Sequence, residues 1–179
     1  LPLPGNGGAW RPVPAHGEGA FQDRVTARWR EDVMADAGRR GGQEPEGGIG
    51  PEILTRYGTT LLVALLDGTE GWVGQIGDGD ILIVRPEGSI EPLLPRDEAL
   101  LGTGTYSLSS REPAVLWRTG RFPIGAGGLL IMASDGLSDS FENPDTEFRV
   151  FARSLWERVE SFGIEQIGSA LPGWLDGYS

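Results

Sequence analysis

The sequence of residues 128–139 is Gly-Leu-Leu-Ile-Met-Ala-Ser-Asp-Gly-Leu-Ser-Asp, an apolar run that ends in a carboxylate, a glycine and a second carboxylate. A run this short and this apolar predicts a buried strand. Asp135 then lies at the C-terminal end of that strand, and Gly136 allows the backbone to turn sharply. Asp139 follows one helical turn later, so a helix that starts at once would point both carboxylates the same way.

Two carboxylates at one place repel each other unless a proton or a cation lies between them. Oxygen ligands of this type suit Mg²⁺ or Mn²⁺. The alternative is structural, because Asp135 could cap the helix that follows while Asp139 faces solvent. Both interpretations of this segment stay open when it is taken alone.

The overall composition narrows the classes of function. The 179 residues suffice for one domain with a sizeable core. The net charge of −11 argues against nucleic acid as a partner, because phosphate binding needs clustered basic residues. The absence of Cys excludes disulfides, thiolate zinc sites and Cys nucleophiles, and it fits a cytoplasmic protein. We expect no membrane association, since no apolar stretch approaches the roughly 20 residues of a membrane span.

The pattern along the chain predicts an α+β domain at residues 19–179 after a Gly/Pro-rich N-terminal segment at 1–18. Apolar residues recur at helical spacing from Phe21, which predicts a helix that ends before Gly41. A nearly continuous apolar run at 59–66 predicts a central strand buried on both faces. The other predicted elements are strands at 72–76, 81–85, 90–94, 114–118 and 128–133, and helices at 148–162 and 164–175. Gly/Asp turns between the first four strands predict an antiparallel meander.

Two other motifs are assigned structural roles. Residues 74–79, Gly-Gln-Ile-Gly-Asp-Gly, have the glycine content of a nucleotide loop, but a strand follows them where such a loop needs a helix. We predict a hairpin turn in which Asp78 accepts hydrogen bonds from backbone N–H groups. His16, the one histidine of the chain, has no carboxylate neighbour in sequence and is predicted to be a surface residue.

Several short sequence motifs occur in a characteristic order. Tyr-Gly-Thr-Thr at 57–60 precedes one strand, and Ile-Gly-Asp-Gly-Asp at 76–80 ends the next. A loop with Asp97 and a Ser/Thr-rich stretch follows, before Ala-Ser-Asp-Gly-Leu-Ser-Asp at 133–139. In this order and spacing the chain from about residue 20 onward resembles the protein phosphatase 2C family, the metal-dependent Ser/Thr protein phosphatases, in its short bacterial form.

The resemblance implies a four-layer α-β-β-α sandwich of two antiparallel sheets flanked by helices, with two Mn²⁺ or Mg²⁺ ions in a cleft. Such ions lower the pKa of a bound water and place it in line with a phosphoryl group. By the same resemblance, Asp135 matches a metal-binding Asp, and Asp139 and Asp97 match carboxylates of a third, weaker metal site. Structural roles fall to the other motif residues, which are Gly58, Thr59, Gly77, Asp78 and Gly136.

The implied activity is hydrolysis of phosphoserine and phosphothreonine in a phosphoprotein substrate, with a Ser/Thr kinase as a further expected partner. Three family features have no counterpart in the chain: the Asp-Gly-x-Gly motif, the phosphate-binding Arg before it, and the final Asp-Asp or Asp-Asn motif. We therefore expect a sequence truncated at both ends, weak or inactive in isolation.

Two alternatives remain at this stage. One is a non-catalytic phosphatase-like module that binds a phosphoprotein or a kinase partner. The other is an unrelated acidic α+β domain in which Asp135 is only a helix cap.

Overall fold

The computed structural model of the protein describes residues 18–41, 50–95, 105–125 and 127–178. The predictions for Asp97, His16 and most of the segment 1–18 lie outside these residues. The α-helices are α1 (Glu18–Gly41), α2 (Pro51–Arg56), α3 (Asp135–Ser138), α4 (Pro144–Phe162) and α5 (Ile164–Leu175). The strands are β1 (Leu61–Leu66), β2 (Glu70–Ile76), β3 (Asp80–Val84), β4 (Ile90–Pro92), β5 (Arg118–Pro123) and β6 (Leu129–Ala133). In the described ranges, 3₁₀ helices span Pro113–Leu116 and Asp176–Tyr178.

Within the described residues the strands form two three-stranded antiparallel sheets. Sheet A has the order β1-β2-β5, and sheet B has the order β4-β3-β6. The predicted meander is therefore wrong, because the chain leaves sheet A after β2 and enters sheet B with β3. The predicted central position of the 59–66 strand is also wrong, since β1 pairs with β2 alone and its side chains are only half-buried or exposed.

The core between the two sheets follows from the period-two alternation of strand side chains. Val73 and Phe122 of sheet A meet Ile81 and Ile83 of sheet B, and Leu94 closes the cluster. All five side chains are buried. The two sheets thus pack face to face as predicted.

The outward faces of both sheets are covered by helices. On sheet B, Leu82, Val84 and Ile131 pack against Phe148 and Ala152 of α4. On sheet A, Ile76 and Trp117 belong to a cluster with partly buried side chains of α1, which are Phe21, Val25 and Trp29. These contacts confirm the four-layer α-β-β-α sandwich and explain why the apolar residues of both helices recur at helical spacing.

Three elements depart from the predictions. Residues 113–116 form a 3₁₀ helix, and the strand predicted at 114–118 is shifted to β5. β5, of sequence Arg-Thr-Gly-Arg-Phe-Pro, alternates exposed and more buried side chains, so it lacks the apolar run that marks a strand buried on both faces. The helix α2 was not predicted either. No helix in the ranges that the structure covers is long and apolar enough to cross a membrane.

Candidate functional site

Asp135 lies where sheet B ends and a single helical turn begins. β6 ends at Ala133, Ser134 is in an extended conformation, and α3 starts at Asp135. The Asp139 N–H donates to the Asp135 carbonyl oxygen at 2.7 Å, which places the two residues one turn apart as predicted. Asp135 is half-buried and Asp139 is exposed, so both carboxylates are accessible to solvent where β6 ends and α3 begins.

Asp78 meets Asp135 from the other side of the site. Asp78 lies in the three-residue connection that takes the chain from sheet A to sheet B, and it lines the same cleft as Asp135, near enough for its charge to raise the pKa of the Asp135 carboxyl group. The register explains the encounter, because Asp80 at the start of β3 pairs with Ala133 at the end of β6. The hydroxyl of Thr105 donates to Asp78 Oδ2. Asp78 was predicted to accept hydrogen bonds from backbone N–H groups of its own turn, but the described donor to its carboxylate is the Thr105 hydroxyl.

The electrostatics of Asp135 reflect this crowding. Burial raises the pKa of its carboxyl group, and the nearby charges of Asp78 and Asp139 raise it further. The Gly136 N–H donates to Asp135 Oδ1 at 2.9 Å and opposes the shift in pKa without cancelling it. The site therefore holds negative charge at an energetic cost, which a proton or a cation would relieve.

The Asp78 turn has little free space around it. Gly77 has a φ of +102°, and a Cβ there would lie 2.3 Å from Thr60 Cγ2. A Cβ on Gly79 would lie 2.6 Å from the Ala133 carbonyl oxygen. Both positions need glycine, because the turn is pressed between the start of β1 and the end of β6.

A cleft of about 280 Å³ opens beside the carboxyl groups. Its lining includes the charged residues Asp78, Asp80, Asp135, Asp139, Asp145, Arg118 and Arg149. Apolar side chains of sheet B and α4, among them Leu82 and Phe148, form its floor. The cleft combines a mostly acidic rim with two guanidinium groups, as a site for a cation and an anionic ligand requires.

Comparison with known sequences identifies the family. The family model of protein phosphatase 2C matches residues 10–176. The chain belongs to the protein phosphatase 2C family. This membership removes the alternative of an unrelated acidic domain. No curated protein sequence matches the chain.

Solved structures of protein phosphatases share the fold. The serine/threonine phosphatase Stp1 from Staphylococcus aureus superposes with a TM-score of 0.57 at 16% identity, over 95% of this chain and 66% of that one. The catalytic domain of the serine threonine protein phosphatase PstP, in complex with two manganese ions, gives 0.51 at 21% identity, over 82% and 60%. PppA, a regulatory component of the type VI secretion system in Pseudomonas aeruginosa, gives 0.51 at 17%, over 75% and 55%. The chain thus spans 55–66% of the length of these three chains.

The residues that were predicted to be structural fall into two groups. Gly58 and Thr59 lie against the segment 105–110, where the Leu108 N–H donates to the Thr59 carbonyl oxygen at 3.0 Å. Gly77 belongs to the same region, since its Cβ would also meet the Tyr106 carbonyl oxygen. Gly136 differs, because it has no positive φ and a Cβ there would meet nothing closer than 3.8 Å. The sharp turn predicted at Gly136 is an ordinary helical turn.

The donor set agrees in kind with Mg²⁺ or Mn²⁺, because carboxylate oxygens are the ligands these ions prefer. It is incomplete in number: among residues 18–41, 50–95, 105–125 and 127–178, no three acidic or His side chains are arranged to hold a metal ion. Asp78 and Asp139 are both near enough to Asp135 to raise the pKa of its carboxyl group. The described residues can therefore supply part of a metal centre.

Sequence reasoning missed Asp78 as a member of the site. A signal was present in β2, where Gln75 is a polar side chain among the apolar residues and glycines that follow exposed Glu70, and it is only 1% exposed. A buried polar group of this kind has hydrogen-bond partners to satisfy, and here they are in the Asp78 turn.

Proposed function

We propose that the protein is a metal-dependent protein phosphatase that hydrolyses phosphoserine and phosphothreonine in other proteins, using Mn²⁺ or Mg²⁺. Membership of the protein phosphatase 2C family supports the reaction class. The observation that carries the site assignment is that Asp78, Asp135 and Asp139 line one acidic cleft, where the pairing of Asp80 with Ala133 brings the Asp78 turn beside Asp135.

In this proposal Asp135, Asp139 and Asp78 contribute carboxylate ligands to the metal centre, and Asp97 stays a predicted ligand outside the described residues. The bound ions would supply an activated water and neutralise charge on the phosphoryl group. The chain's own task is to hold carboxylates close together before the ions arrive. β6 and α3 do this for Asp135 and Asp139, and the connection between the sheets does it for Asp78.

The exposed guanidinium of Arg149 in the cleft suits a phosphorylated substrate, whereas the guanidinium of Arg118 donates to the Gly77 and Pro95 carbonyl oxygens. Arg149 donates to the Ile90 carbonyl oxygen at 2.9 Å from the exposed side of α4. A phosphoprotein is therefore the proposed substrate, and a Ser/Thr kinase is a proposed partner that would supply or share it. We further propose that the protein works in the cytoplasm, in line with the absence of Cys from the chain.

A metal titration tests the proposal. The complete natural reading frame is assayed for hydrolysis of an aryl phosphate and of a phosphothreonine peptide while Mn²⁺ is added. We expect turnover that requires Mn²⁺ and falls at least about 100-fold in Asp135→Asn, because one carboxylate ligand is lost. Asp23→Asn is the matched control, since Asp23 is an exposed carboxylate on α1 in the opposite outer layer.

The same experiment distinguishes a phosphatase from the non-catalytic alternative. A folded protein that turns over neither substrate at any Mn²⁺ concentration would contradict the phosphatase proposal. Binding of the phosphothreonine peptide without hydrolysis would then favour a phosphoprotein-binding module. The specific observation behind that second candidate is the incomplete ligand set of the described residues.

A further inference from the structure

Two polar side chains on neighbouring strands of sheet A converge on one carbonyl group. Gln75 of β2 and Arg118 of β5 are paired in the antiparallel register. Gln75 Nε2 donates to the Gly77 carbonyl oxygen at 3.1 Å, and Arg118 Nη2 donates to the same oxygen at 3.1 Å. Gly77 directly precedes Asp78, so both bonds act on the backbone that carries this carboxylate.

Each side chain also donates a hydrogen bond to a second backbone carbonyl oxygen. The Gln75 amide donates to the Gly79 carbonyl oxygen, so it bridges both residues that flank Asp78. Arg118 Nη1 donates to the Pro95 carbonyl oxygen, at the start of the segment that contains Asp97. The two donors therefore connect the Asp78 turn to sheet A and to the backbone at Pro95.

The turn needs such restraint for two reasons. Glycines on both sides of Asp78 give the backbone more freedom than other residues would. The carboxylates of Asp78 and Asp135 also repel each other when no cation is present, which would move an unrestrained turn away from β6. Ligands of a metal site bind best when surrounding groups fix their position in advance.

We propose that Gln75 and Arg118 are positioning residues that hold the Gly77–Gly79 backbone and thereby fix the Asp78 carboxylate beside Asp135. This inference rests on the proposed function, in which Asp78 is a metal ligand. Gln75 lies inside sheet A, only 1% exposed, and Arg118 is half-buried at the cleft. Neither residue needs to contact the metal or the substrate to have this effect.

Mn²⁺ affinity, measured by electron paramagnetic resonance of the free ion, tests the inference without relying on turnover. In the complete natural reading frame, Gln75→Leu and Arg118→Met remove the donors at nearly constant volume. We expect each variant to bind Mn²⁺ about tenfold more weakly, as is typical when groups that orient a ligand are removed. Arg118→Lys keeps a cationic donor and should recover part of the affinity.

Hydrogen exchange of the metal-free protein supplies a second measurement. We expect faster exchange in the peptide that covers Gly77–Asp80 of both variants, with little change in peptides from α4. Arg121→Met is the matched control on β5, because Arg121 lies on the opposite face of the strand from Arg118 and pairs with exposed Glu70 at 3.6 Å. It should alter neither the Mn²⁺ affinity nor the exchange of the turn. If Gln75→Leu does not fold, the two Arg118 variants decide the question.

Asp78→Asn distinguishes failure of this inference from failure of the proposed function. If Asp78→Asn weakens Mn²⁺ binding while Gln75→Leu and Arg118→Met remain within twofold of the unmodified protein, the positioning role is overturned and the ligand role stands. If Asp78→Asn also leaves the affinity unchanged, the ligand role of Asp78 falls, and the positioning role falls with it.

Discussion

Two turns of this protein have similar sequences and different roles. The turn between β1 and β2 contains Asp67 and Gly68, and the connection between β2 and β3 contains Gly77 and Asp78. Asp67 accepts hydrogen bonds from the N–H groups of Thr69 at 3.0 Å and Glu70 at 2.8 Å, so its carboxylate closes its own turn. Asp78 instead lies beside Asp135 in the cleft, because β3 and β6 are neighbours in sheet B. An Asp beside a glycine is thus structural when its own backbone satisfies it, and a candidate ligand when the fold directs it elsewhere.

Substitution of the glycines by Ala should give the largest difference between the two turns in the free energy of unfolding. Gly68 has a φ of +97° in open space, whereas Gly77 combines a φ of +102° with a contact of 2.3 Å to Thr60 Cγ2. Gly68→Ala should cost about 1 kcal/mol from backbone strain alone. Gly77→Ala should cost about 3 kcal/mol, because overpacking adds to the strain. Urea denaturation of both variants measures this difference, and equal costs would contradict the steric argument.

The carboxylates should change thermal stability in opposite directions when no divalent cation is present. Asp67→Asn weakens the acceptor that closes its turn and should lower the melting temperature by a few degrees. Asp78→Asn removes the repulsion with Asp135 and should leave the melting temperature unchanged or slightly higher. Differential scanning calorimetry in a chelator provides the measurement. A lower melting temperature for Asp78→Asn would mean that its contact with Thr105 outweighs the repulsion.

The smallest expected effect is the pH dependence of stability. Hydrogen bonds from Glu70 and Thr69 hold the pKa of Asp67 below its ordinary value, so its contribution is present near neutral pH and is lost as the pH falls through the lowered pKa. Burial and the charge of Asp78 raise the pKa of Asp135, so the metal-free protein gains stability from this group as the pH falls through the raised pKa.

Comparison of each Asn variant with the unmodified protein, between about pH 3 and 6, isolates these contributions. The stability difference for Asp67→Asn should shrink as the pH falls from neutrality. Asp135→Asn should gain its largest advantage at the upper end of the range, where the carboxylate that it replaces is charged. Parallel curves for the two variants would show that the two turns do not differ electrostatically.

Much of the fold could be predicted because apolar residues recur at regular spacing in several of its helices and strands. The apolar spacing from Phe21 predicted α1, and the apolar run before Asp135 predicted β6. The arrangement of strands into sheets could not be predicted, because a Gly/Asp turn can close a hairpin or lead the chain to another sheet. β5 was misplaced because an edge strand with Gly120 and two Arg residues lacks an apolar pattern.

The site was predictable only where its members are close in sequence. Asp135 and Asp139 are one helical turn apart, so their spacing indicated a pair. Asp78 joins them through the register of β3 with β6, which the sequence does not specify. The ligand roles of all three remain predictions that the metal titration can test.

The pairing of strands also has a consequence for the order of folding. The hairpins β1-β2 and β3-β4 join neighbouring segments, whereas β5 and β6 must return over a long stretch of chain to pair with β2 and β3. Closing long loops is slow because it costs more entropy before any contact is gained. We therefore expect Asp135 to come beside Asp78 late in folding. A chain in which these two carboxylates can bind a metal ion together has then already formed both sheets.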